Sequence, residues 1–397
     1  MITVEEAKAI LIKNVFQLSG TTTIDVNNAL GYTLAENIVA LLNLPPFNQS
    51  NVDGYAVNLA DSLTNKWEVV NEIKAGDNTV MELGKGEAAR IFTGAIVPAG
   101  SDAVIMQEKI TRTENTIHYS ETTPIKKGEH IRNAGAHIKN GDLALNKGTI
   151  LNPAALSFLN ALGINNVSVF NKPKIALIIT GNELQPAGTI LENGKIFESN
   201  SVALQSALAA MSLSLNKILF VKDDKNSLEA AVTEALADTD ILLISGGISV
   251  GDYDYVNEVL NENGTNTLFY KIAQKPGKPL YFGKNKNTFV FGLPGNPASA
   301  LTCFYEYVFP ALKKMMGHEN VFLKTVQLPV SKEIIKKSGM ALFLKAKATD
   351  SAIEPLDGQE SFIMKSFAMT NAFIYLPLEK ETVKAGENVE VHLLPEY

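Results

Sequence analysis

The residues of this chain best equipped for chemistry sit in three glycine- or proline-rich stretches: Thr180-Gly181-Asn182-Glu183, Gly246-Gly247-Ile248-Ser249-Val250-Gly251-Asp252 and Pro294-Gly295-Asn296-Pro297. Glycine lets backbone N–H groups come close to a ligand, and a thin turn leading into a helix aims them outward, so together the three could cradle a phosphate. Glu183, Asp252 and Asp254 are oxygen donors of the kind that share a divalent cation. In QKPGKPLYFGK, Lys275 and Lys278 flank a Pro-Gly turn, where ammonium groups could neutralise phosphate or an oxyanion. Toward the N-terminus, LPPFNQSNVDGYAV sets Asp53 ahead of Gly54 in a turn, and IFTGAIVPAGSDAVIMQE sets Thr93 and Gly94 at a strand end. Any one of these stretches alone reads equally well as a structural turn. Their joint occurrence points to an anion or nucleotide site. The chain has neither a Walker-type phosphate loop nor a Ser-His-Asp pattern.

The elements that must hold these loops follow from hydrophobic periodicity. Between residues 172 and 316, apolar strands (KIALIIT, KILFVK, DILLIS, NTFVFG) alternate with amphipathic helices near Ser199–Met211, over SLEAAVTEALAD and near Tyr255–Asn263. That alternation predicts a parallel, doubly wound sheet with its loops gathered at the C-terminal strand ends, where such sheets bind ligands. The last strand runs into GLPGNP, with Asn296 as the expected N-cap and Pro297 in the first turn of a closing helix. Residues 1–170 open with a helix whose Thr3 and Glu6 suit a capping box, then turn to short alternating segments, with one further helix at NPAALSFLNALG. This region is expected to be β-rich and to comprise two subdomains. Alternating strands return over 321–397, as in FIYLPL and VEVHLLP, predicting a small C-terminal β-barrel or sandwich, of which the barrel is preferred. The fold class is therefore α/β plus β-rich, in several domains.

Composition narrows the function. With 397 residues, 46% hydrophobic and 19% charged, the chain is ordinary globular material for several cores. A net charge of -7 argues against general affinity for nucleic acid or an anionic membrane, so an anionic ligand must be captured locally. The single cysteine, Cys303, excludes an intrachain disulfide and cysteine-based metal clusters, and it falls in an apolar helix pattern as an expected core residue. The histidines show no metal-binding spacing. No apolar run approaches the ~20 residues that span a bilayer, and Met1 leads into a charged helix rather than a signal sequence, so a cytoplasmic location is expected.

The motifs PPFNQSNVDGYAV, IFTGAIVPAGSDAVIMQE, IRNAGAHIKNGD, IITGNEL, ISGGISVGDYDYV, KPGKP and GLPGNPASA, in this order, resemble the MoeA family of molybdopterin molybdenumtransferases, to which the E domain of gephyrin is related. The resemblance spans nearly the whole chain. It implies insertion of molybdate into adenylylated molybdopterin, assisted by Mg²⁺, with AMP released. Carried over by position, it implies Asp53, Thr93 and Glu183 as catalytic groups, Gly246, Gly247 and Ser249 as the pterin-phosphate cradle, and Lys271, Lys275 and Lys278 facing the anionic ligands. Pro294 and Pro297 would shape the pocket floor, and Arg132 and His137 would lie in the ligand site. Asp240, at the start of DILLIS, also matches a family acid. The family further implies an elongated homodimer whose site combines the α/β domain of one subunit with parts of the other, and admits an upstream adenylyltransferase as a partner.

Two departures stand out. Gly135-Ala136-His137 replaces the family's Gly-Glu-Asp after Arg132, and Ala368-Met369 occupies a place where arginine is common. A scaffolding role of the gephyrin type would call for a linker or partner module, and the chain shows none. A CinA-like nucleotide hydrolase would share the α/β module but not the DGYA and TGA motifs.

Overall fold

The first helix forms as its ends dictate. Thr3 Oγ1 accepts from the Glu6 amide (3.1 Å) and Glu6 Oε2 accepts from the Thr3 amide (2.8 Å), a capping box opening helix Val4–Asn14. The computed structural model describes residues 1–60, 65–78, 80–248, 255–336 and 339–396. They fall into two compact units: one of Met1–Thr23, Leu30–Ala35 and Ser168–Tyr397, the other of Ile24–Ala29 and Glu36–Val167.

In the larger unit a six-stranded sheet runs in the order Leu215–Val221, Ile175–Thr180, Ile241–Ser245, Thr288–Leu293, Tyr281–Asn285, Asn266–Tyr270. The first four are parallel. Strands 175–180, 241–245 and 288–293 are buried at every residue, which is why they read as unbroken apolar runs. Alternation splits their side chains between two cores. Ile175, Leu177 and Ile179 pack with helix 4–14, helix 200–209 and the segment 297–315, whereas Ala176 and Ile178 pack with helices 225–236 and 255–262.

Strand 281–285 runs antiparallel to both its neighbours, 288–293 and 266–270, an extension that the α/β alternation did not predict. Only Lys286 and Asn287 separate Asn285 from its pairing partner Thr288, and so short a link makes a hairpin, never a parallel crossover. The closing helix is also not uniform: Pro297–Cys303 is α, Phe304–Val308 is π, and Phe309–Met315 is α again. Pro310 has no N–H to give to the carbonyl of Glu306, and the widened turn falls just before it.

Strands Lys324–Pro329, Ala341–Ala348, Ala372–Leu376 and Asn388–Leu393 form the C-terminal sheet. Ile353–Pro355 pairs with 341–348, and a bridge from Ile353 to Val330 at the end of the first strand closes the ring. Val330, Ile353, Ala372, Ile374, Val389 and Val391 belong to the core of this domain. Gln274–Lys275 adds to it in parallel beside Ala341 and Leu342.

The smaller unit is β-rich. Its six-stranded sheet runs Ala103–Met106, Gly54–Val57, Glu87–Ile91, Lys66–Ile73, Thr116–Tyr119, Ile110–Thr113. Its helix Pro153–Ala161 begins at Asn152, whose side chain accepts from the Ala155 amide at 2.8 Å.

Candidate active site

The loops after the parallel strands meet at one edge of the larger unit, and glycine is what lets them. Gly246 has φ +95°, and a Cβ placed on it would lie 2.0 Å from the Thr180 carbonyl oxygen. A Cβ on Gly247 (φ +65°) would meet the methyls of Val256 and Thr180 at 2.9 and 3.0 Å. No other residue type fits this turn without shifting the neighbouring strand end. Asn200 Nδ2 donates to Ser245 Oγ and to the Gly295 carbonyl, each at 2.8 Å, and so ties two of the loops together.

Glu183 is exposed on the first loop. Near it stands Asp223, at the end of strand 215–221, a residue that the sequence reading passed over. Asp223 Oδ1 accepts from Thr180 Oγ1 at 3.3 Å, and its amide donates to Asn182 Oδ1 at 3.2 Å. Partial burial, with the negative charges of Glu183 and Asp224 added, raises the pKa of Asp223 above the usual carboxylate value. A signal existed: Asp223 follows KILFVK as Glu183 follows KIALIIT, at the same edge of the same sheet. Ser249, Asp252 and Asp254 lie outside the described residues. Among the described residues no three His, Cys, Asp or Glu side chains stand together as a metal cluster.

Asp240 is not at this edge. It begins strand 241–245 at the opposite end and accepts from the Lys174 amide at 2.8 Å, a structural task. Pro294 is buried and Pro297 opens the closing helix. Asn296 holds the N-cap position, but its side chain does not cap. Nδ2 donates to Ser361 Oγ (2.8 Å), and the Ala298 amide donates to the Ser361 carbonyl (3.1 Å), so the C-terminal domain takes up one of the amides expected to stay open.

KPGK is a strand end, not a free surface loop. Buried Gln274 donates to the Pro276 carbonyl at 3.0 Å and accepts from Tyr307 Oη. Gly277 (φ +89°) lies so close to Cys303 that a Cβ would fall 2.4 Å from Sγ. The turn is held rigidly on the core, and the exposed Lys275 stands on the wall of a cavity of about 750 Å³ with Lys332, Leu342, Gln359 and Glu360. Lys271 adopts φ +68° with its ammonium 4.8 Å from the Tyr270 ring centroid, and the Lys278 carbonyl accepts from the Ile272 amide.

In the smaller unit, Asp53 Oδ1 accepts from both the amide and the hydroxyl of Thr93, each at 2.8 Å. These two bonds, amide first, hold the exposed carboxylate below the usual range, with a lesser pull from Arg90. Gly54 is obligatory beside it, since a Cβ would lie 1.8 Å from the Ile105 carbonyl oxygen. The DGYA and TGA motifs are thus two halves of one hydrogen-bonded turn. Arg132 is exposed on a two-residue strand paired with Gln49–Ser50. His137 is exposed and stacks on Phe158 of the unit's helix, centroids 5.0 Å apart.

Three family models match consecutive parts of the chain: "MoeA N-terminal region (domain I and II)" over residues 2–163, "Probable molybdopterin binding domain" over 176–314, and "MoeA C-terminal region (domain IV)" over 327–394. A molybdopterin molybdenumtransferase from Haemophilus influenzae is 34% identical over 408 residues, covering 99% of this chain and all of the relative. The chain belongs to the MoeA family of molybdopterin molybdenumtransferases. A molybdopterin molybdenumtransferase from Staphylococcus aureus is 33% identical over 381 residues, covering 94% of this chain and 90% of its own. The crystal structure of a molybdopterin biosynthesis MoeA protein from Pyrococcus horikosii superposes with a TM-score of 0.82 at 33% identity, each chain covered in full.

Proposed function

We propose that this chain inserts molybdate into adenylylated molybdopterin, releasing AMP with the help of Mg²⁺. The observation that carries the reading is the pair of carboxylates, Glu183 and Asp223, set beside the glycine turn at the edge where α/β sheets bind their ligands. Burial, with the charge of the neighbouring Glu183 added, raises the pKa of Asp223, and such a pair of acids suits a hard divalent cation. Glu183 would hold it, with Asp252 and Asp254 as further ligands, and when bound it supplies charge neutralisation at the phosphates. Cleaving the adenylate with water requires a proton acceptor, and Asp223, whose proton affinity is raised, is suited to that task beside Glu183.

The amides of the Gly246-Gly247 turn, with Ser249, cradle the pterin phosphate, Lys271, Lys275 and Lys278 balance its charge, and Pro294 and Pro297 fix the floor. Asp53 with Thr93, and Arg132 with His137, are the contribution of the N-terminal domains. The domains run 1–170, 172–316 and 321–397, the enzyme works as a cytoplasmic homodimer, and an adenylyltransferase supplies its substrate. Incubating purified protein with adenylylated molybdopterin, molybdate and Mg²⁺ tests this: AMP and active cofactor are expected, and absence of AMP release overturns it.

A further inference from the structure

Lys345 is almost fully buried on strand 341–348, and among the described residues no carboxylate is bonded to it. Its ammonium donates instead to three main-chain carbonyls, of Gly358 (2.6 Å), Ile363 (2.9 Å) and Glu360 (3.3 Å). The same loop is held at its base by Gln359, whose side chain accepts from the Lys345 amide (3.0 Å) and donates to the Lys345 and Leu356 carbonyls (2.8 and 2.7 Å). Ser366 Oγ adds a bond to the Gly358 carbonyl at 2.7 Å. Segment 358–363 is thus wrapped around one buried cation. A largely buried ammonium is costly unless each donor is matched, and here three carbonyls match them.

The wrapped segment has one outward task. Ser361, near its middle, makes the two bonds to Asn296 and Ala298 described above, at the GLPGNP turn. On the far side of that turn, Asn200 holds the Gly295 carbonyl. The turn is gripped from both sides, once from its own domain and once from the C-terminal barrel.

We propose that Lys345 and Ser361 are positioning residues: Lys345 shapes a strap, residues 358–363, and Ser361 on that strap fixes the GLPGNP turn in its ligand-binding geometry. The inference rests on the reading of GLPGNP as part of the substrate site. An apolar residue at 345 removes the ammonium that joins all three carbonyls and leaves each only a local bond, from Ser366 Oγ or the Ile363 amide, so the strap loosens, whereas arginine can bond the same carbonyls.

Lys345→Met, Lys345→Arg and Ser361→Ala in the full-length protein test this with two readouts, amide hydrogen exchange over 294–300 and steady-state AMP release. Faster exchange over 294–300 is expected in Lys345→Met and, more weakly, in Ser361→Ala. KM for adenylylated molybdopterin should rise about tenfold with kcat changed less, as for loss of a group that orders a binding turn. Lys345→Arg should restore both. Ser361→Ala deletes one exposed-side hydroxyl, so it keeps the test open should Lys345→Met fail to fold. Unchanged exchange over 294–300 in Ser361→Ala overturns the strap whatever the activity. Faster exchange with wild-type KM overturns its role in positioning. A wild type that releases no AMP overturns the proposed function instead, while exchange still decides the strap.

Discussion

Glu183 and Asp223 differ in environment more than in type, and that difference sets what each can do. Glu183→Gln is nearly isosteric and removes only the charge, so we expect an intact fold with AMP release slowed ~10²-fold or more. Wild-type turnover in this variant would remove Glu183 from the mechanism. Asp223 behaves differently under mutation. Its pKa is raised in the folded protein, so the folded state binds that proton more tightly than the unfolded chain, and above the folded pKa the charge costs stability. Asp223→Asn should therefore raise Tm at neutral pH while lowering activity, the trade expected where a charge is kept partly buried, with other acids near, for function. A Tm equal to or below wild type at pH 7 would count against a stability cost from burying this charge beside other acids.

The turns that carry the site are elements whose glycines are set by contact, and the contacts differ. Gly246→Ala combines a left-handed backbone, worth ~1–2 kcal/mol, with a Cβ 2.0 Å from a main-chain oxygen of the next strand. Both stability and AMP release should suffer. Gly188 has a similar φ, +86°, but nothing within 4 Å of its Cβ, so Gly188→Ala should show the backbone cost alone. Denaturation of the two variants side by side separates strain from steric overlap, and equal losses would show that the Thr180 contact does not matter. At the other end of the chain, Thr3→Ala breaks the capping box and should cost about 1 kcal/mol.

On the scale of the whole molecule, a buried charge network links three distant stretches of the larger unit. Glu306, on the π turn, accepts from Lys8 of the first helix (2.6 Å) and bonds His392 of the last strand (2.7 Å), while His392 reaches Glu390 at 2.9 Å. Burial alone would lower the pKa of His392, but Glu306 and Glu390 outweigh it and the net shift is upward. Burial likewise opposes ionisation of Glu306, and Lys8 with His392 reverses that, leaving its pKa low. The signs set the window. The histidine's stabilisation is complete below its unfolded pKa of ~6.5 and is lost as pH rises through the higher folded value, whereas that of Glu306 is lost only as pH falls through its own depressed value. Tm should therefore decline from neutral into alkaline pH, and His392→Gln should flatten that decline. An identical alkaline slope in the variant would contradict this. Lys8→Met strands part of a buried carboxylate and should cost about 3–5 kcal/mol.

How much of this was legible beforehand depended on how far each fact reaches along the chain. The first helix, its capping box, the four parallel strands and the helix after Asn152 follow from spacing within a few residues, and the ordered motifs carry the family. Local patterns cannot carry what distant segments do to one another. The antiparallel strand 281–285 is distinguished by a two-residue hairpin that periodicity does not weigh. Asp223 became a site residue only because its strand lies beside 175–180. Asn296 lost its capping role to Ser361, sixty-odd positions away, because a hydrogen bond goes to the acceptor that packing brings near, whatever the sequence distance. Lys345 had no reading as a functional residue at all, since nothing in ALFLKAKA says that three carbonyls will close around its ammonium. Sequence determined which elements form and which chemistry is present; the tertiary structure decided which polar groups leave water together, because burial and its electrostatics are properties of the packed chain alone.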